Sequence, residues 1–232
     1  MILELRMYTV TPGRIGDVQA RFRDHLPPLL AAHGIRIIGC WIATAGTAGP
    51  MWVYMMAYRD LAERMAQWDS FSRDDRWWAA RAETNAGEEM VERFDTHFLT
   101  TARPLPELPP GIDELLLIEV ALGQAAAVAA HVRDDYLRRI EAAGGTVALV
   151  ADFLTGPHLP RIAIMVRWPD AQAQASARAN LDSLPECATA ARAQRAAFGR
   201  ALLGQTDSYL LRQPEWFSDG RFAAVSVPGP AA

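Results

Sequence analysis

The chain has 232 residues, half of them hydrophobic, and a formal net charge of −4 at pH 7. A chain of this length can bury a substantial core as one large or two small domains, and its acidic balance argues against sequence-independent nucleic-acid binding. All 23 basic residues are arginine. The absence of lysine excludes Schiff-base chemistry on lysine and a P-loop.

The first hundred residues predict the element order βαββαβ. Apolar periodicity predicts strands at 2–10, 35–44, 51–58 and 92–100, with helices at 14–32 and 60–86, the second broken near 70–75. Gly34 ends the first helix, because glycine accepts the left-handed conformation found at helix C-termini.

The same order recurs after a proline-dense segment. The stretch from Gly34 to Asp60 is repeated about 110 residues later as Gly145 to Asp170. The second copy predicts strands at 115–121, 146–154, 161–168 and 206–212, with helices at 124–143 and 171–201, the latter interrupted at Pro185. We therefore predict a first domain at 1–102, a linker at 103–112, a second domain at 113–213 and a tail at 214–232.

The repeated order predicts a fold class. A βαββαβ unit forms a four-stranded antiparallel sheet with both helices on one face, the ferredoxin-like plan. Two such units in tandem are expected to cover each other's bare faces and close an intrachain dimeric α/β barrel. The predicted fold class is α+β, with two tandem ferredoxin-like units.

Three segments of the first copy resemble the NIPSNAP family. They run from Glu4 to Gly13, from Leu29 to Trp41 and from Val53 to Arg64. The second copy keeps the architecture but lacks the pattern Glu-Leu-Arg-x-Tyr, which suggests a tandem form with a degenerate second copy. The resemblance implies the dimeric α/β-barrel superfamily. It leaves the activity open, because that superfamily contains cofactor-free monooxygenases, haem-degrading enzymes, lactone isomerases and proteins with no known reaction.

The first strand carries alternating polar residues that could form a site. Period two places Glu4, Arg6 and Tyr8 on one face and an apolar set on the other. We expect the apolar set to meet the helices and the polar set to face the bare side of the sheet. The polar set is then either a structural Glu–Arg tie between strands or an anion clamp by Arg6 with Tyr8 as proton donor.

The last strand of the first copy offers a candidate base. Asp95 and His97 share one strand face, and the aspartate could orient the imidazole for proton transfer near neutral pH. The alternative is a hydrogen-bonded structural histidine. We expect Tyr8, Tyr54, Asp95 and His97 to converge, because their strands are neighbours in the ferredoxin-like order.

Large side chains are concentrated in the first copy, which holds five of the seven tryptophans. This asymmetry predicts a pocket for a flat apolar or aromatic ligand. The alternative is random sequence drift between the two copies, with aromatic residues kept where the two sheets meet. The proposed substrate-binding residues are Trp41, Trp52, Tyr54, Met56, Tyr58 and Glu4.

No spacing of histidine, cysteine or acidic residues predicts a metal site, and no glycine-rich fingerprint predicts a dinucleotide. His25 occupies the helix position where, by the resemblance, haem-binding relatives carry a ligand, but a core histidine is the simpler interpretation.

We expect no cofactor, no nucleic-acid or membrane partner, a cytoplasmic location and, as an open option, a homodimer. The predicted function is a cofactor-independent enzyme acting on a hydrophobic, aromatic or polyketide-like molecule. The alternative is a non-catalytic binding or scaffold protein.

Overall fold

The computed structural model describes residues 1–101, 106 and 108–217. Part of the predicted linker, the tail beyond 217 and its Phe222 lie outside the described residues. The chain divides into two compact units, one containing 1–101 and 211–217, the other 106 and 108–210. The predicted domain boundaries stay predictions.

The first unit has the order βαββαβ, with each helical segment divided in two. Its strands are β1 (Ile2–Val10), β2 (Ile37–Ala45), β3 (Met51–Tyr58) and β4 (Val91–Thr100). Its helices are α1 (Ile15–Ala20), α2 (Leu26–Ala32), α3 (Leu61–Ser72) and α4 (Asp75–Asn85), and a π-helical turn, Arg21–His25, joins α1 to α2. The strands pair antiparallel in the order β4-β1-β3-β2.

Local chemistry explains where these elements begin and turn. Gly13 has φ +85° between β1 and α1, a conformation that glycine adopts without a Cβ penalty. The Asp60 carboxylate accepts a 2.8 Å hydrogen bond from the backbone N–H of Glu63 and so caps α3. The Asp74 carboxylate caps α4 in the same way. The predicted break in the second helix therefore coincides with a new N-cap.

Both faces of β1 are largely buried, and the helices lie on the face opposite to the one predicted. Glu4, Arg6 and Tyr8 share the helix-facing side, where Arg64 of α3 reaches Glu4. Leu3 and Leu5 are fully buried on the other face. The predicted orientation of β1 is wrong, because hydrophobicity cannot distinguish two faces that are both removed from water.

The second unit repeats the plan. Its strands are β5 (Ile112–Val120), β6 (Thr146–Phe153), β7 (Arg161–Trp168) and β8 (Leu203–Arg212), in the order β6-β7-β5-β8. Its helices are α5 (Ala125–His131), α6 (Leu137–Ala142), α7 (Ala171–Ser183) and α8 (Pro185–Phe198), with a π-helical turn, Val132–Tyr136, between α5 and α6. The predicted fold class is confirmed as α+β, with tandem ferredoxin-like units of the dimeric α/β-barrel type.

Strand β5 begins three residues earlier than predicted. Asp113 and Glu114 are polar in sequence yet only 1% exposed. Arg167 forms two hydrogen bonds with Asp113, at 2.7 and 2.9 Å. Ion pairing therefore allows acidic residues inside the sheet, ahead of the predicted start of the strand.

Candidate functional site in the first unit

Glu4 is the centre of a buried ionic cluster between the sheet and α3. Its side chain has no exposed area, and its carboxylate accepts hydrogen bonds from Arg6 Nε at 2.7 Å and from Arg64 Nε at 2.9 Å. Burial would raise the pKa of Glu4, but the hydrogen bonds and charges of Arg64 and Arg6 outweigh it and hold the pKa below its ordinary value. One carboxylate between two guanidinium groups leaves the cluster with a net charge of +1.

Arg6 connects this carboxylate to two phenols. Its Nη1 donates to Tyr54 Oη at 3.3 Å and to Tyr8 Oη at 3.4 Å. The guanidinium carbon lies 4.0 Å from the ring centroid of Trp68, a cation–π distance. Burial opposes the charge of Arg6, but Tyr54, Tyr8 and Glu4 raise its pKa above the ordinary value. Arg6 therefore stays charged.

Tyr8 and Tyr54 form a phenol pair beside this cation. Their hydroxyl oxygens are 2.6 Å apart, and their rings meet edge to face with centroids 5.2 Å apart. Tyr54 is only 4% exposed, and burial raises its pKa well above the ordinary value. Tyr8 is half-buried. The less buried phenol is the one that a ligand can reach.

Aromatic side chains surround the phenol pair. The Phe22 ring lies 4.9 Å from Tyr54 and 5.0 Å from Trp52, centroid to centroid. On the other side Phe94 lies 5.4 Å from Tyr8 although 56% of its surface is exposed. An exposed phenylalanine above a half-buried tyrosine marks the side on which the cluster opens to solvent.

Seven of the ten predicted site residues lie together on the helix-facing side. Glu4, Arg6, Tyr8, Trp52, Tyr54 and Met56 line this layer, and so does Tyr58, which accepts a 2.8 Å hydrogen bond from Trp68 Nε1. Trp41 is buried on the opposite face, since it pairs with Val53. The concentration of large side chains in this copy is therefore divided between two faces.

The expected convergence of Asp95 and His97 with the phenol pair is wrong. His97 pairs with Leu5 and Asp95 with Met7, so both point away from the face that carries Tyr8. Asp95 is exposed, whereas His97 is 6% exposed. A role for His97 as a base stays a prediction, but it would act on a different side of the sheet.

Sequence reasoning missed the contributions of Arg64 and Phe94. Arg64 and Trp68 lie four residues apart on α3, and therefore on one helix face, which the i, i+4 spacing after the Asp60 cap could have indicated. Phe94 pairs with Tyr8, so correct assignment of the helix-facing side would have placed it at the site.

Within the described parts of the chain, no three histidine, cysteine, aspartate or glutamate side chains form a group able to hold a metal ion. The two cysteines, Cys40 and Cys187, are free thiols. The helices among the described residues are all too short or too polar to cross a membrane.

The second unit keeps the buried glutamate and a helix arginine but lacks the strand arginine and both phenols. Glu114 occupies the position of Glu4 and accepts a 2.7 Å hydrogen bond from Arg178 and a 3.0 Å one from Trp168. By the same strand register, aliphatic side chains replace the cation and both phenols; they are Leu116, Ile118 and Ile164. These three residues belong to the apolar core of the second unit.

The comparison with known proteins confirms the resemblance to the NIPSNAP family for the first unit. Residues 3–106 match the NIPSNAP family model. A NIPSNAP domain protein from Burkholderia xenovorans is 26% identical, with a match covering 46% of this chain and 100% of its own, at a TM-score of 0.40. No curated protein matches the chain significantly.

Solved structures similar along most of the chain include an oxidase-like protein and a monooxygenase-like protein. An anthrone oxidase-like protein is 13% identical, with 91% of both chains covered and a TM-score of 0.55. A candidate monooxygenase from Lactobacillus acidophilus is 11% identical, with 91% of this chain and 93% of its own covered, at a TM-score of 0.53. At these identities the likeness concerns the fold alone.

Proposed function

We propose that the first unit is an enzyme domain that acts on a hydrophobic, aromatic or polyketide-like small molecule through its own side chains. The reaction is acid–base chemistry or oxygenation without a bound cofactor, and Arg6, Tyr8 and Tyr54 are its central residues. One observation carries this proposal: the cation and the phenol pair are present in one copy of the fold and replaced by aliphatic residues in the other.

Equivalent positions in the two copies show which polar residues both units share and which are present in the first unit alone. A buried glutamate bonded to a helix arginine is present in both, as Glu4 with Arg64 and as Glu114 with Arg178. This supports a structural role for the glutamate. Leu116 shows that the fold also accepts an aliphatic residue at the position of Arg6. Because burying polar groups costs free energy, a polar cluster where aliphatic packing suffices favours a functional role.

The arrangement suits a ligand that develops negative charge on oxygen. The guanidinium of Arg6 can stabilise an oxyanion, and the half-buried Tyr8 can donate a proton to it. Aromatic rings around the phenols offer flat surfaces for a ring system. In the oxygenation route, O2 would convert a ring CH2 group to a carbonyl, with one oxygen atom retained and the other released as water.

A non-catalytic binding or scaffold role is the second candidate. It is favoured by the full engagement of Arg6, whose Nε and Nη2 contact Glu4 while Nη1 contacts both phenols. In this second role, Arg6 holds β1 to its neighbours and contacts no ligand. The names of the similar structures favour the enzyme, but only as an analogy of fold. A cytoplasmic location, a homodimer and a place in biosynthesis belong to this proposal as expectations.

The test is a turnover assay with aromatic and polyketide-like phenols and ketones under air and under nitrogen. We expect Tyr8→Phe to lower turnover by about tenfold or more, since it removes a proton donor while preserving the ring. Tyr136→Phe is the matched control, because Tyr136 is a half-buried phenol of the second unit. Binding of these compounds without turnover under either gas would favour the non-catalytic role.

A further inference from the structure

The hydrogen-bond inventory of the phenol pair leaves one hydroxyl hydrogen without an acceptor. Tyr54 Oη contacts Arg6 Nη1 and Tyr8 Oη, and Tyr8 Oη contacts the same nitrogen and Tyr54 Oη. A guanidinium group only donates. Each phenol therefore has just the other phenol as an acceptor among the described residues, and only one hydrogen can lie between the two oxygens.

Burial decides which of the two hydroxyl hydrogens has no acceptor within the pair. Tyr54 is almost fully buried, where a hydroxyl hydrogen without an acceptor carries a full desolvation cost. Tyr8 is half-buried, so its hydrogen can point to water or to a ligand. Tyr54 therefore donates to Tyr8, and the hydrogen of Tyr8 is directed to the open side near Phe94.

Trp52 supplies a second donor in the same layer. It lies directly opposite Tyr8 in the β1–β3 register, on the same face of the sheet. Its side chain is fully buried, and its Nε1 has no hydrogen-bond partner in the described part of the chain. Buried indole N–H groups normally find an acceptor, so this one indicates an oxygen that the chain itself does not provide.

We propose, on the basis of the function proposed above, that the ligand of the first unit is an aromatic phenolate or enolate. Its charged oxygen accepts the hydrogen of Tyr8, and Arg6 supplies the positive charge. Trp52 Nε1–H, on the β3 side of Tyr8, is a donor for a further polar atom of the ligand. The nearest carboxylate, Glu4, is already bonded to two arginines, so the cluster keeps a net positive charge for the anion. The site thus selects the ionised form of its ligand.

The experiment uses 4-nitrophenol, whose absorbance distinguishes its neutral and ionised forms, and nitrobenzene as the uncharged analogue. The wild-type protein should bind the ionised form about tenfold or more tightly than the neutral form, which appears as a downward shift of the probe's ionisation of about one pH unit. Tyr8→Phe should abolish most of this shift while nitrobenzene affinity stays unchanged. Tyr136→Phe should retain the shift in full.

The outcomes separate this proposal from the function on which it rests. Binding of both probes without preference for the ionised form would overturn the anion proposal and leave an aromatic site. Failure of both probes to bind wild-type protein would count against the proposed function as well. Loss of the shift in Tyr54→Phe but not in Tyr8→Phe would reverse the assignment of the donor. If a variant fails to fold, the pH dependence of 4-nitrophenol affinity in the wild-type protein still shows whether the site prefers the ionised form.

Discussion

Replacement of Glu4 by glutamine tests the ionic centre of the first unit. The substitution preserves the shape of the side chain but removes the charge that lies between Arg6 and Arg64. Two guanidinium groups then share a buried space with no carboxylate between them. The matched control is Glu114→Gln, which removes the equivalent charge from the second unit and leaves only Arg178 without its anion.

The structure gives the expected size of the two effects. Removing one partner of a buried ion pair costs about 3–5 kcal/mol when the other charge stays buried. Arg6 fits that case, since its side chain is 10% exposed and packed against Trp68. Arg178 is 20% exposed and can turn its charge toward water, so Glu114→Gln should cost about 1.5–3 kcal/mol, the range for a hydrogen bond to a charged group.

Urea unfolding provides the assay, monitored by circular dichroism and by tryptophan fluorescence. Five of the seven tryptophans lie between residues 41 and 78, so fluorescence reports mainly on the first unit. We expect Glu4→Gln to lower the free energy of unfolding more than Glu114→Gln does, with an unchanged slope against urea. An equal or smaller loss of stability for Glu4→Gln would refute the view that Glu4 compensates the buried positive charge of Arg6.

Two further predictions concern pH and the far face of the sheet. Because the pKa of Glu4 is lower in the folded state, its contribution to stability is present above the unfolded value of 4.5 and is lost as pH falls through the folded pKa. Wild-type protein should therefore lose more stability than Glu4→Gln between about pH 6 and about pH 3, and parallel pH profiles would contradict this. His97→Ala should lower stability by about 1–3 kcal/mol, since the side chain is buried, yet retain turnover on any substrate of the Tyr8 site. Loss of turnover with ligand affinity intact would instead establish His97 as the base.

The sequence predicted the elements of both units closely. The predicted bounds of β3 and β7, 51–58 and 161–168, match the observed ones, because each is a β-rich, mostly apolar run between turns. The break in the second helix was found from its polar residues near Asp74. Three boundaries differ from the prediction by three residues: the starts of β5 and β8 and the end of α8. At β5, Asp113 and Glu114 are polar residues whose arginine partners lie far away in the sequence.

The sequence predicted which residues of β1 share a face but not which face meets the helices. Period two correctly grouped Glu4, Arg6 and Tyr8, since alternation is a local property of an extended strand. Alternation cannot say which of two buried faces meets the helices. The choice depended on Arg64 and Trp68, which reach the strand from a helix some sixty residues away along the chain.

The sequence by itself determined the duplicated βαββαβ order, the resemblance to the NIPSNAP family and the polar character of one face of β1, because these depend on periodicity and local motifs. Only the tertiary structure separated His97 from Tyr8 and enclosed Glu4 between two arginines. Those relations depend on strand register and helix packing between distant segments. A polar residue can lie in a core only if ion pairing offsets the cost of its burial. Its partner is brought to it by the tertiary fold.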